Sequence, residues 1–176
     1  MPLLTTYPNL VVLRTLSKAF GLAGIRCGFV LGQSAIIDAL RKVIAPYPLP
    51  DPSADIALTA LQPKHVTQMW AAVDQVKEIR DWFVRQLVGL PSVKNVWPSE
   101  SSFVLVQFHT GVDAYKHLEQ QGIIVRRLPS EPELQDCVRI SVGSKTSMRE
   151  TWNALKKLKT SKKVISSVSV ASEPNN

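Results

Sequence analysis

Four prolines at alternate positions, Pro46, Pro48, Pro50 and Pro52, constrain this chain more than any other feature. Each fixes φ, withholds a backbone donor and disfavours helix in the residue before it. The stretch is therefore expected to be extended, a hinge or linker, and the sequence on either side of it can be read separately.

Upstream, Leu10-Val-Val-Leu13 is a short apolar run entered from the turn-forming Tyr7-Pro8-Asn9, as expected of a strand buried on both faces. A second run, Cys27-Gly-Phe-Val-Leu31, reads as another strand. The segment between them, Thr15-Leu-Ser-Lys-Ala-Phe-Gly-Leu-Ala-Gly-Ile-Arg26-Cys-Gly28, is then a loop joining two strands at the rim of a sheet, where α/β proteins place their ligands. Its chemistry is specific. Lys18 brings a primary amine that can form an imine with a carbonyl. Ser17 offers a hydroxyl and Arg26 a planar five-donor fork, and both suit a phosphate. Gly21, Gly24 and Gly28 let the backbone turn tightly and approach a ligand. Together they suit a phosphorylated aldehyde. The plainer reading of the same residues is a solvated turn, because a motif counts only in its structural context. Ser34 is placed to cap a helix over Ala35 to Val43, with Ile36, Ile37, Leu40 and Val43 on one face.

Downstream, Ser53 is placed to cap a helix through Leu61, and a longer one starts at Lys64 or Thr67 and runs to about Leu87. Val73, Val76, Ile79, Phe83 and Leu87 fall on one face of it, and Gly89 and Pro91 end it. Strands are then expected over 93–97, 103–108, 123–126 and 138–142, and helices over 112–120 and 146–158, forming a compact α+β layer. Arg126 and Arg139 stand at the ends of two of these strands and can converge on one anion if the strands are neighbours. The competing reading pairs them with Glu131, Glu133 or Asp136. Alternation makes Arg127 the surface residue of the pair Arg126-Arg127.

Composition narrows the field. Apolar residues make up 45 % and charged residues 20 % of the chain, ordinary globular values that argue against a disordered or fibrous protein. The net charge of +7 raises nucleic acid as a partner, but the excess lies in Lys156, Lys157, Lys159, Lys162 and Lys163, where it suits a solvated helix end. Basic residues are not interleaved with stacking aromatics, so no nucleic acid is expected. Trp70, Trp82, Trp97 and Trp152 read as core or rim packing. Cys27 and Cys137 are too few for a disulfide framework, which fits a reducing compartment. His65, His109 and His117 have no metal-ligand spacing, so no metal is expected, and they read as loop or surface residues. No apolar run is long enough to span a bilayer and the first residues lack a secretory signal, so a cytoplasmic protein without a membrane partner is expected.

The wording of the loop goes further than its chemistry. Ser17-Lys18-Ala-Phe-Gly-Leu-Ala-Gly-Ile-Arg26-Cys-Gly-Phe resembles the cofactor-lysine segment of pyridoxal-phosphate aminotransferases of fold type I, most of all the histidinol-phosphate aminotransferases. The likeness continues through Lys42-Val-Ile-Ala-Pro-Tyr-Pro-Leu-Pro50 and returns at Gly122-Ile-Ile-Val-Arg126 and Cys137-Val-Arg139-Ile-Ser-Val-Gly143, so that it spans about 8–158.

The resemblance implies an α/β fold. Residues 1–52 would be the C-terminal remnant of the large domain that binds pyridoxal 5'-phosphate, and residues 53–160 helices and a small α+β C-terminal domain, followed by a polar, disordered tail over 161–176. It implies that Lys18 holds the cofactor covalently and is catalytic, that Ser17 and Arg26 hold the cofactor phosphate, and that Arg126 and Arg139 bind the anionic ends of the substrates. The implied reaction is transamination between L-histidinol phosphate and 2-oxoglutarate, with glutamate as the counterpart, in a homodimeric enzyme of histidine biosynthesis. The chain looks like the C-terminal half of such an enzyme. The family's Asp that pairs with the pyridine nitrogen and its Tyr at the ring oxygen have no match here. Ser102 stands before Phe103 where the family usually has Asn. Two other readings stay open: an inactive fragment that needs a complementing N-terminal half, and a phosphothreonine-type decarboxylase of the same fold.

Overall fold

The computed structural model describes residues 2–158. The chain divides into two compact units, the first ending at Val73 and the second beginning at Asp74. The division falls inside a helix, not in the proline-rich stretch. The expected tail over 161–176 lies outside the described residues.

The first unit opens with a short helix, α1 (Pro2–Thr6), and an antiparallel ribbon of β1 (Val12–Thr15) and β2 (Gly28–Leu31). Two helices follow, α2 (Ser34–Val43) and α3 (Asp51–Ala60), and α4 (Pro63–Val88) begins in this unit. The expected strand over Leu10–Leu13 begins two residues later and is not buried on both faces: Leu13 is 75 % exposed. An apolar run predicts burial only where further strands and helices cover it, and among the described residues β1 and β2 pair with each other alone. The apolar face of α2 is likewise open, since no α2 residue is buried and Val43 is 80 % exposed.

Two cap assignments also shift. The residue preceding α2 is Gln33, and Ser34 is its first residue. Helix α3 starts at Asp51 after Pro50, ahead of Ser53. Pro52 explains the earlier start, because a proline in the first turn withholds an N–H that would have no helical partner anyway. Residues 44–50 are irregular, and Tyr47 within them is 96 % exposed with a left-handed φ of 54°.

The second unit contains the rest of α4, then β3 (Val93–Val96), β4 (Phe103–Phe108), α5 (Ala114–Gln120), β5 (Arg126–Arg127), β6 (Cys137–Ser141) and α6 (Lys145–Leu155). Its sheet is antiparallel in the order β3-β4-β6-β5. Alternation along β4 and β6 buries Val104, Val106, Phe108, Val138 and Ile140 with Phe83 and Leu87 of α4, Leu118 of α5 and Met148 and Leu155 of α6. The face expected of α4 thus meets the core at Phe83 and Leu87, while Val73, Val76 and Ile79 are half-buried. Phe103, Leu105 and Gln107 leave β4 on the other face and are half-buried.

Two of the histidines read as loop or surface residues lie in helices. His65 Nδ1 is 2.8 Å from the Thr59 carbonyl, and His117 Nε2 donates to the Ala154 carbonyl at 2.9 Å, tying α5 to α6. The four tryptophans do lie at rims: Trp70 and Trp97 are exposed, and Trp82 meets Trp152 edge-on at 6.2 Å. Cys27 and Cys137 are free thiols, the first half-buried and the second buried. No helix among the described residues is long and apolar enough to cross a membrane.

Candidate active site

The lysine loop is the turn of the β1–β2 ribbon, and the ribbon's register sets what can meet at its neck. Thr15 pairs with Gly28, and the Leu16 N–H donates to the Cys27 carbonyl at 3.2 Å, carrying the ladder one step further. Beyond it the strands give way, with Ser17 in a bend on one side and Arg26 ending a 3-10 turn over Ala23–Ile25 on the other. Gly28 is required at the base: a Cβ there would lie 2.9 Å from the Arg14 carbonyl oxygen, closer than the paired backbones allow.

Within the loop, Leu16 is the buried anchor at 1 % exposure, and the Leu22 N–H returns to its carbonyl at 3.0 Å. The Gly21 N–H donates to the Lys18 carbonyl at 2.9 Å, closing a tight turn in which Gly21 takes a φ of 69°. Behind the loop lies a cleft of about 350 Å³ lined by Phe20, Leu22, Ala60, His65, Met69 and Ala72.

Lys18 is exposed, and none of the salt bridges among the described residues includes it. Ser17 is half-buried and held by a neighbour that the sequence reading passed over. Thr15 Oγ1 accepts the Ser17 N–H at 3.1 Å and lies 2.9 Å from Ser17 Oγ and 3.4 Å from the Cys27 carbonyl, to either of which it can donate. The signal was present, because a hydroxyl two residues ahead of an amide is the spacing of a side-chain turn. Arg26 adopts a left-handed φ of 54°, which costs a non-glycine residue roughly 1–2 kcal/mol. Its Nη1 donates to the Ala23 carbonyl at 3.3 Å, and the rest of its exposed guanidinium is open to a ligand.

In the second unit, Arg126 and Arg139 are directly opposed across β5 and β6, so both side chains leave the ladder on one face. The Arg139 guanidinium carbon sits 5.1 Å from the centre of the Phe103 ring, while Arg126 lines an open cleft of about 570 Å³ with Tyr115, Lys116, Glu119, Arg127 and Pro129. Neither is in a salt bridge among the described residues.

Arg127 is exposed but engaged. Its Nη2 pairs with the Asp113 carboxylate, and its guanidinium lies over the Tyr115 ring at 4.5 Å. Asp113 also caps α5 through the Lys116 N–H at 3.0 Å, the main reason its carboxyl is held below the usual range. Ser102, where the sequence departs from the family pattern, is exposed and accepts the Val142 N–H through its carbonyl at 2.8 Å, a bond open to any residue type.

The loop and the arginine pair can be set beside known proteins. Residues 1–158 match the family described as aminotransferase class I and II. Histidinol-phosphate aminotransferase 1 of Haemophilus influenzae is 43 % identical over 157 residues, covering 89 % of this chain and 43 % of its own. Among solved structures, a decarboxylase from Sulfurospirillum multivorans has a TM-score of 0.79 at 27 % identity, over 90 % of this chain and 46 % of that one. Histidinol-phosphate aminotransferase from Sinorhizobium meliloti, solved with pyridoxal-5'-phosphate, has a TM-score of 0.70 at 24 % identity, over 92 % and 42 %. The chain thus spans less than half the length of these relatives, yet almost all of what is described in it follows one pattern. It carries part of the fold type I architecture and belongs to the class I and II aminotransferases.

Proposed function

We propose that this chain carries the lysine-bearing part of a pyridoxal-phosphate-dependent aminotransferase that moves an amino group between L-histidinol phosphate and 2-oxoglutarate, in histidine biosynthesis. The observation that supports the reading is the loop of the β1–β2 ribbon, which carries Ser17, Lys18 and Arg26 between the paired residues Thr15 and Gly28. That donor set fits the cofactor: an exposed amine for its aldehyde, and a hydroxyl and an open guanidinium for its phosphate.

When bound, pyridoxal phosphate supplies an electron sink for the pair left on the substrate carbon. Ser17 and Arg26 anchor the phosphate, and Thr15 keeps the Ser17 hydroxyl from swinging away. With its amine free, Lys18 Nζ would take the proton from the substrate carbon as general base and give it up again as general acid. Arg126 and Arg139 receive the anionic ends of the substrates, and guanidinium forks suit both the phosphate of one and the carboxylates of the other. On this reading residues 1–52 belong to the cofactor-binding domain and 53–160 to helices and the small domain of a cytoplasmic homodimer.

The test is spectroscopic. Purified protein mixed with pyridoxal phosphate is expected to gain a visible absorption band that Lys18→Ala lacks, and identical spectra would remove the assignment. A decarboxylase reading draws on the likeness to the Sulfurospirillum protein. Release of carbon dioxide from an amino-acid phosphate, without amino transfer to 2-oxoglutarate, would favour it.

A further inference from the structure

Arg80 is the one charged side chain that is buried among the described residues, at 8 % exposure, and nothing in the proposed chemistry uses it. Taking a guanidinium out of water is costly unless it is paired and hydrogen-bonded. Its Nε meets the Asp81 carboxylate at 3.0 Å, but that carboxylate is half exposed, and an arginine reaching it from solvent would pair as well. Burial serves the other end of the fork. There Nη1 crosses from α4 to the loop between β3 and β4 and donates to the Ser101 carbonyl at 3.4 Å.

That loop leads into the face of the sheet that carries Arg126 and Arg139. The Ser102 carbonyl accepts the Val142 N–H at 2.8 Å, and the Ser99 hydroxyl accepts the Ser101 N–H at 3.1 Å while donating to the Phe103 carbonyl at 2.6 Å. Three successive carbonyls, 101–103, are thus each held by a different group. Phe103 is what they place. It lies two residues from Leu105, which is opposite Arg139, so its ring and the Arg139 guanidinium are diagonal neighbours on one face, 5.1 Å apart.

We propose that Arg80 is a positioning residue for anion binding: by holding the Ser101 carbonyl it fixes the entry to β4, keeps the Phe103 ring under Arg139, and so holds that guanidinium ready beside Arg126. This rests on the reading of Arg126 and Arg139 as the pair that receives the anionic ends of the substrates.

The experiment uses the 176-residue chain, isotopically labelled, with inorganic phosphate as the probe. NMR gives two readouts: the Arg139 Nε–H resonance without phosphate, which a ring beneath it shifts upfield, and the phosphate dissociation constant. Arg80→Met keeps the stem and leaves Asp81 in water, while Arg80→Lys keeps the charge. Both lose the fork. Both are expected to retain the amide pattern of β4 and β6, to lose most of the Arg139 upfield shift, and to bind phosphate about 2- to 5-fold more weakly, the worth of one exposed cation–π contact. Phe103→Leu is expected to weaken phosphate by the same factor, and adding Arg80→Met to it to change nothing more, because both act through one contact. An Arg139 resonance unmoved in the Arg80 variants, affinity equal to the parent's, losses that add in the double variant, or collapse of the β4 and β6 amide pattern in both single variants would each overturn the proposal. A parent that binds no phosphate would instead remove the anion site itself, and the Arg139 resonance would still report whether Arg80 places the ring.

Discussion

Arg126 and Arg139 face each other across the β5–β6 ladder with no acidic partner among the salt bridges of the described residues. Like charges directly opposed cost roughly 0.2–1 kcal/mol, and Arg139 offsets part of this over the Phe103 ring. A shared anion would turn the repulsion into two charge-assisted contacts. Inorganic phosphate is therefore expected to stabilise the second unit at low ionic strength. Arg126→Gln is expected to gain a few tenths of a kcal/mol without phosphate and to lose most of the phosphate response. Urea unfolding in low salt, with and without phosphate, measures both, and an unchanged response in the variant would exclude a joint anion site.

Thr15 is expected to act through Ser17. Thr15→Val keeps the β-branched shape but removes the oxygen that accepts the Ser17 N–H and lies 2.9 Å from its hydroxyl. One such hydrogen bond is worth roughly 0.5–1.5 kcal/mol, so cofactor affinity should fall by about 2- to 10-fold, and Thr15→Ser should restore it. Titrating the visible band in the three proteins decides the matter. If serine fails to rescue, the effect belongs to packing.

Local rules made much of this fold legible. The face of α4 through Phe83 and Leu87, the stop at Gly89 and the positions of β4 and β6 follow from periodicity and turn chemistry, which act within a few residues. The loop between β1 and β2 that carries Lys18, Ser17 and Arg26 lies where the two flanking apolar runs put it. The misreadings depended on distant chain. Leu10–Leu13 has the composition of a strand buried on both faces, but burial is set by neighbours, and Leu13 has none to cover it. That Arg127 would be held by Asp113 and Tyr115, and that Arg80 would be buried with its Nε on Asp81 at 3.0 Å and its Nη1 on the Ser101 carbonyl at 3.4 Å, could not be read from spacing, since neither the pairing of β5 with β6 nor the docking of α4 is written locally.

Gly28 is expected to resist substitution for a reason that has nothing to do with backbone freedom. A methyl group there would press on the Arg14 carbonyl at 2.9 Å, backbone against backbone, at the last rung before the lysine loop. Relieving it must spread β1 from β2, at a cost of roughly 1–3 kcal/mol by analogy with overpacking elsewhere. Gly28→Ala should speed amide exchange in Val12–Thr15 and weaken cofactor binding, while the amides of β4 and β6 exchange as before. Gly24→Ala is the control, because its Cβ would meet nothing within 4 Å.

Asp113 gives the second unit a pH dependence whose sign can be worked out. The Lys116 N–H, and next the Arg127 side chain, favour the ionised carboxylate, so its pKa in the folded chain lies below the unfolded value. A depressed folded pKa means stability that is fully present above the unfolded pKa and is lost as pH falls through the folded one. The contribution is therefore intact at pH 7 and disappears on acidification below about pH 4. Because the pair is half exposed, the cap is the safer guide to size: Asp113→Ala should cost about 1 kcal/mol at pH 7. The difference between parent and variant should shrink from its value at pH 7 toward zero in acid, once the pH has fallen through the folded pKa and the parent's carboxylate is protonated as well. Urea unfolding at pH 7 and in acid tests this, and a gap that persists undiminished in acid would show that Asp113 stabilises α5 by packing and not by charge.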